Sequence, residues 1–317
     1  MLKKYKPIII VAGEPKSTFL EIFIKTVKSK KFKSPLILIC SLNLLKKEID
    51  RSKFNKKIKI LDLKNLDNIL LDNNNLNLIN INFNNYENNK SHYISSSFDV
   101  AFRLLKNKFT NKLINGPINK SEFLNKKFLG ITEFISKKFN AKKTAMLIYN
   151  EDLSVCPLTT HLPLKFVSNK INKKLIFEKT KLVNDFYQRH IGYKPRIAIT
   201  GLNPHCESVS NFNEDEKIIA PAIKNLRVKG YKIEGPFPAD TIFLKQNRIR
   251  YDVILGMYHD QVLTPLKTLK EYDAINITIG LPFLRLSPDH GPNFKMFKKN
   301  LSNPLSLIRA IEFFDKK

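Results

Sequence analysis

The sequence predicts an α/β fold built on a mainly parallel sheet. Three observations carry that expectation. Short apolar, β-branched runs alternate with longer amphipathic segments along the whole chain. Polar, histidine-bearing stretches repeatedly follow the apolar runs, where such sheets place their ligand loops. Neither an internal repeat nor a disordered linker interrupts the alternation.

The elements follow in order. "PIIIVAG" reads as a first strand, and "STFLEIFIKTVKSK" as a helix with Phe19, Leu20, Ile22, Phe23 and Val27 on one face. "PLILIC" and "KIKILDL" read as strands. "LDNNNLNLININFNNYENNK" is close to low complexity and is expected to be a surface loop or a weak edge strand. "SSSFDVAFRLLKNKF" offers serine at a helix start, followed by amphipathic spacing. "NKLINGPINK" is a strand ending in a Gly-Pro turn; "KTAMLIYN" and the proline-broken "LSVCPLTTHLPL" are two more strands. "KLIFEKTKLVNDFYQRHIG" is a long amphipathic helix stopped by Gly192. "PRIAITGLNPH" is a strand with a polar exit, and "EDEKIIAPAIKNLRVKG" a helix with an acidic first turn. "YDVILGMYHDQ" and "AINITIGLPF" are the last strands, and "NPLSLIRAIEFFDKK" a terminal helix.

Bulk properties bound the class. At 317 residues and 43% hydrophobic, the chain can bury a sizeable core in two α/β lobes or one large domain. It lacks a run of about 18 apolar residues, so no membrane span is expected. Cys40, Cys156 and Cys206 are too few and too scattered for a disulfide framework, which makes a reducing cytoplasm the expected location. The formal charge of +27 raises the question of a polyanion site. Only nine of the 55 basic residues are arginine, however, and the lysines are spread evenly. That pattern points to a compositional bias, and no nucleic-acid role is expected.

Four histidines occupy expected strand exits: His161 after two threonines, His205 in "NPHCE", His259 in "YHDQ", and His290. His161, His205 and His259 leave different strands and can converge above the sheet. Three imidazoles suit Zn²⁺ or a similar ion and leave positions open for a substrate. Asp260 and Glu207 are candidates to orient the rings. The alternative reading is three separate hydrogen-bonding histidines. A second set, Thr132, Lys267, Asn276 and Arg285, suits a phosphate or carboxylate. Arg285 stands out because it lies in the apolar "GLPFLRLS". A buried guanidinium needs an anion, either a ligand or an internal salt-bridge partner. There is neither a G-x-G-x-x-G fingerprint nor a Walker loop.

Together, "NGPINK", "TTHLPL", "GLNPHCE", "GPFPADTIF", "YDVILGMYHDQ" and "INITIGLPFLRLSPDHG" resemble, in the right order, the PdxA family of 4-hydroxythreonine-4-phosphate dehydrogenases. "GEP" near the start extends the resemblance over nearly the whole chain. It implies two α/β/α lobes with a cleft between them, similar to isocitrate and isopropylmalate dehydrogenases. The expected lobes are 1–115 plus 262–317, carrying both termini and the cofactor-side loops, and 116–261, carrying the metal ligands and dimer contacts. It implies a divalent metal (Zn, Mg or Co) on His161, His205 and His259. Thr132, Lys267, Asn276 and Arg285 would bind substrate. NAD or NADP would bind near His290 and Gly291, and Asp240 and Asp260 would orient ligands or handle protons. The partners implied are a phosphorylated small molecule and a second copy, in a homodimer with its active site at the interface. The implied reaction oxidises 4-phosphooxy-L-threonine to a 3-oxo acid, which decarboxylates to 3-amino-2-oxopropyl phosphate in vitamin B6 biosynthesis.

Four stretches depart from the family pattern. Ser17 and Phe19 replace glycines in the first loop, and Ile131 stands where a substrate-binding histidine precedes the threonine. Val262 follows "HDQ" in place of glycine, and "HGPNFKMFKKN" replaces the cofactor-facing "HGTAFDIAG". The alternatives they raise are a related dehydrogenase of another phosphorylated hydroxy acid and a non-catalytic homologue.

Overall fold

The computed structural model describes residues 5–83, 89–119, 123, 128, 130–208, 212–288 and 291–316. The strands are β1 Ile8–Val11, β2 Leu36–Cys40, β3 Ile58–Ile60, β4 Leu76–Asn80, β5 Lys112–Asn115, β6 Ala145–Tyr149, β7 Ser154–Thr159, β8 Ile197–Thr200, β9 Ile233–Phe237, β10 Val253–Tyr258, β11 Ile275–Ile279 and β12 Leu284–Pro288. The longer helices are α1 Phe19–Ser29, α2 Leu42–Arg51, α3 Lys90–Lys106, α4 Ile131–Lys138, α5 Lys173–Phe186, α6 Ala220–Val228, α7 His259–Lys270 and α8 Leu305–Asp315.

The chain divides into two compact units, Met1–Ile135 with Pro282–Lys317, and Ser136–Leu281. The expected lobe limits, 115/116 and 261/262, fall earlier in the chain. A physical reason places α7 with the second unit: Val262, Leu263 and Leu266 bury themselves against Val155 and Ile254 of β7 and β10.

In the first unit the strand order is β3-β4-β2-β1-β5-β12, with parallel pairing throughout. Central β1 and β2 are buried along their whole length, so both read as unbroken Ile/Leu/Val runs. The Asn-rich segment corrects an expectation. Leu76–Asn80 is a strand hydrogen-bonded on both sides, to β2 and β3. Leu76, Leu78 and Ile79 supply its apolar burial. The Nδ2 of buried Asn77 donates to the Leu36 and Asp72 carbonyls, at 3.0 and 2.7 Å. Helix α3 also begins earlier than expected, at Lys90. Ser97 lies mid-helix and returns its hydroxyl to the Tyr93 carbonyl at 2.8 Å.

In the second unit the order is β11-β6-β7-β10-β8-β9. Strands β7, β10, β8 and β9 run parallel, whereas β6 pairs antiparallel with β7 and β11. Helix α5 continues through a π turn, Tyr187–Ile191, and stops at Gly192 in the left-handed region (φ 100°). Among the described residues no helix is long and apolar enough to cross a membrane.

Candidate metal and substrate site

The parallel strands of the second unit deliver the candidate ligands at their carboxyl ends. β7 ends at Thr159 and β10 at Tyr258, and these two residues are register partners. His161 and His259 therefore leave adjacent strands side by side, with ring centroids 6.0 Å apart. Two imidazoles on one tetrahedral zinc, at Zn–N of about 2.0–2.1 Å, would stand about 5 Å apart by centroid. The pair is thus about 1 Å wider than a closed site of that kind. His259 opens α7, and its Nδ1 lies 2.7 Å from Asp260 Oδ1. An ionised carboxylate only accepts, so in the neutral ring this contact favours the proton on Nδ1 and leaves the Nε2 lone pair for a ligand.

His205 leaves β8, the other neighbour of β10, in the short turn Pro204–Cys206, and is exposed. Among the described residues no three His, Cys, Asp or Glu side chains group closely enough to hold a metal ion. The structure therefore brings His161 and His259 together and leaves His205 out of a three-residue cluster within one chain. His161 and His205 share a further property: both adopt left-handed backbone, at φ 50° and 56°. That region is uncommon for residues other than glycine and concentrates at functional sites.

Asp215 anchors the start of the His205 loop. Buried Asp215 accepts from the backbone N–H of Leu202 (2.8 Å) and Asn203 (3.1 Å), and from the Asn203 side chain (3.0 Å). A side chain at Gly201 would meet Asp215 Oδ1 and Cys206 Sγ at 2.6 Å, so this close approach requires glycine. Burial, and then the Asp215 charge, push the Cys206 thiol up to about 11, which keeps it protonated and unreactive at neutral pH. Asp240, exposed in the single turn Ala239–Ile242, adds to that field; Asp260 is exposed too.

The substrate-type residues fall in both units. Lys267 is exposed on α7, about 12 Å along the axis from His259 at the helical rise. Asn276 lies on β11, and its Oδ1 is buried with no hydrogen-bond partner among the described residues. In the first unit Arg285 on β12 is fully buried, and its Nε donates to Asn115 Oδ1 at 2.7 Å. Burial holds its guanidinium down to about 10, and the charge of Glu133 opposes that shift. Thr132 sits beside Glu133 in α4, with Ile131 as the first helical residue. Gly291 is exposed; His290 lies outside the described residues.

Two departures from the family pattern prove to be core packing. Val262 is fully buried, and its Cγ1 occupies the space a Cβ on Gly256 would need, at 2.3 Å. Phe19 is also fully buried, with its ring filling the space above Gly116. The first loop carries Glu14, buried and ion-paired to Lys90 at 2.8 Å. Near it, within the same unit, is a cavity of about 560 Å³ whose lining includes Lys16, Lys47, Arg51, Lys298 and Phe297. Sequence reasoning assigned no role to Glu14, Asp215 or Gln261 and did not find the cavity, since these side chains act through partners on other elements.

Imidazoles and an oriented carboxylate at the carboxyl edge of a parallel sheet define an α/β protein built to hold a small ligand at its strand exits. Comparison with known proteins narrows that class. The chain belongs to the family described as pyridoxal phosphate biosynthetic protein PdxA, which matches residues 17–314. It is 42% identical over 210 residues, 65% of the chain, to 4-hydroxythreonine-4-phosphate dehydrogenase of Sulfurihydrogenibium sp. (strain YO3AOP1). It is 39% identical over 227 residues, 69% of the chain, to the protein of the same name from Xanthobacter autotrophicus. These matches span 64% and 65% of those relatives' own lengths. The crystal structure of 4-hydroxythreonine-4-phosphate dehydrogenase from Klebsiella pneumoniae superimposes with a TM-score of 0.81 at 28% identity, covering 98% of each chain. A terephthalate 1,2-cis-dihydrodioldehydrogenase from Burkholderia xenovorans shares the fold at 18% identity, with a TM-score of 0.62 over 98% of each chain.

Proposed function

We propose that this chain, as a homodimer, oxidises 4-phosphooxy-L-threonine with NAD(P)⁺ to the 3-oxo acid, which loses CO₂ to give 3-amino-2-oxopropyl phosphate for vitamin B6 synthesis. The observation that carries the reading is the convergence of His161 and His259 at adjacent strand ends, with His259 oriented by Asp260. In the reaction the secondary alcohol gives up a hydride and its hydroxyl proton. The new carbonyl is β to the carboxylate, so CO₂ departs and the neighbouring carbon takes up a proton.

The donor set fits a divalent ion. Imidazole nitrogens favour zinc or cobalt over magnesium, which prefers oxygen. His161, His259 and His205 would hold it, and a site at the dimer interface allows the third ligand to come from the second copy. When bound, the ion supplies Lewis-acid polarisation of the substrate hydroxyl, and NAD(P)⁺ supplies the hydride acceptor. The cation-rich cavity beside the first loop suits a phosphate-bearing cofactor. Arg285, Thr132 and Lys267 would bind the anionic ends of the substrate, and the buried Asn276 Oδ1 would accept from its ammonium or hydroxyl. Asp260 holds the His259 tautomer, and Asp240 would exchange protons with solvent.

The test is NADH formation by the purified dimer loaded with Co²⁺ and given 4-phosphooxy-L-threonine. Activity that disappears in His259→Ala supports the reading. Ile131 at the head of α4 favours one second reading, a related enzyme for another phosphorylated hydroxy acid. A substrate panel in which such an acid outperforms 4-phosphooxy-L-threonine would establish that one. Failure of every panel member to yield NADH rejects both.

A further inference from the structure

The ladder between β8 and β10 ends at Ile199 and Leu255, before either strand reaches its histidine. Beyond that point β10 stays paired to β7 as far as Tyr258 and Thr159, while side chains link the β8 and β10 exits. Gln261, two residues after His259, does most of this. Its Oε1 accepts from the Met257 N–H at 2.7 Å and from the Thr200 hydroxyl at 2.8 Å. Its Nε2 donates to the Gly201 carbonyl at 2.8 Å. One amide thus ties the start of α7 to its own strand and to the exit of β8, four residues before His205. The third exit joins the same relay. The Thr159 hydroxyl, two residues before His161, donates to the Met257 carbonyl at 2.8 Å. Met257 is therefore held on both sides, through its carbonyl to β7 and through its N–H and the Gln261 amide to β8.

We infer that Gln261 is a positioning residue for the histidine site, setting how far apart the three histidine-bearing exits stand. This inference rests on the metal-site reading above. Glutamine suits the role because one planar group both donates and accepts; leucine does neither, and glutamate cannot donate when ionised. Ligand sites need their donors held to about 0.5 Å, and between β8 and β10 the ladder has ended before this edge, which leaves the Gln261 amide to bridge the two exits. Gly256 completes the arrangement, since a Cβ there would come within 3.2 Å of Gln261 Oε1.

The experiment uses the full-length dimer stripped of metal and titrated with Co²⁺, followed by visible absorption. Gln261→Leu should weaken Co²⁺ binding about 10-fold or more, the scale seen when partners of metal ligands are removed. It should also lower kcat while leaving KM for the phosphorylated substrate within about threefold. Thr200→Val, which removes one donor from outside the histidine segments, should shift Co²⁺ affinity in the same direction by about threefold. Leu226→Ala in α6 serves as the control: it should lower Tm at least as much yet leave Co²⁺ affinity within about twofold. Should Gln261→Leu fail to fold, Thr200→Val decides. Wild-type affinity in both variants, or an equal loss in the Leu226 control, overturns the inference alone. A wild-type dimer that binds no Co²⁺ overturns the metal-site reading and the inference with it.

Discussion

Single residues already carry much of the argument. Among the described residues Arg285 is the largest fully buried side chain, and it is charged. Burying such a group is costly unless it is hydrogen-bonded and paired, and Asn115 Oδ1 and the charge of Glu133 both act on it. Arg285→Lys keeps the charge but loses the planar fork. We expect KM for the phosphorylated substrate to rise about 10- to 100-fold, from a loss of roughly 1.5–3 kcal/mol in charge-assisted hydrogen bonding. Steady-state kinetics at saturating cofactor would check it, and an unchanged KM would make Arg285 a structural residue. The sequence already marked this arginine as unusual, because it interrupts an apolar strand in a chain where arginine is scarce beside lysine. Gln261 carried no such mark: its partners lie at positions 200, 201 and 257, and nothing in the local pattern announces them.

Elements show how far local pattern determines structure. The unbroken apolar strands and the amphipathic helices were legible because burial imposes their periods. The Asn-rich segment was not, since its strand depends on being sandwiched between β2 and β3, which composition does not reveal. The β10–α7 junction offers a direct test of packing. Gly256→Ala would drive a methyl into Val262 Cγ1 and should destabilise by about 1–3 kcal/mol. Adding Val262→Ala opens that space, so the double variant should lie closer to wild type in thermal melts than the sum of the single effects. Strict additivity would show that the two side chains do not compete. Helix α5 offers a test of charge. The hydrogen bond from Lys143, at 2.8 Å, holds the Glu178 carboxyl below its usual range, with Coulombic help from neighbouring lysines. The sign follows from a folded pKa lower than the unfolded one. The contribution is complete above the unfolded carboxyl pKa, near 4.3, and is lost as pH falls through the folded value. As a solvent-screened pair it amounts to about 0.2–1 kcal/mol. The Tm gap between wild type and Lys143→Met should therefore be present at pH 6 and shrink toward pH 3; a gap that holds constant with pH would exclude this linkage.

At the scale of the whole molecule the question becomes how many chains make one site. The order of the strand-exit loops, and their placement at one edge of each sheet, followed from the alternation of strands and helices. The convergence of the histidines did not, because a spacing along the chain says nothing about which loops fold back and which reach outward. His161 and His259 meet, while His205 is exposed on its own turn. A homodimer with shared sites predicts subunit complementation. His205→Ala and His259→Ala should each be inactive alone. Mixed and reassociated, they should recover roughly a quarter of wild-type activity if the two ligands of one site come from different chains. No recovery would place both ligands in the same subunit. Light scattering on the unmixed protein should give twice 36.8 kDa.

The left-handed backbone at His161 and His205 has a genetic consequence. At such φ values glycine relaxes the chain, asparagine is tolerated, and β-branched residues are excluded. A saturation library sorted only for cellular abundance should therefore enrich Gly and Asn at both codons. The same library selected for growth without supplied vitamin B6 should retain histidine alone. The two positions would then separate, within one experiment, what the polypeptide prefers from what its chemistry demands.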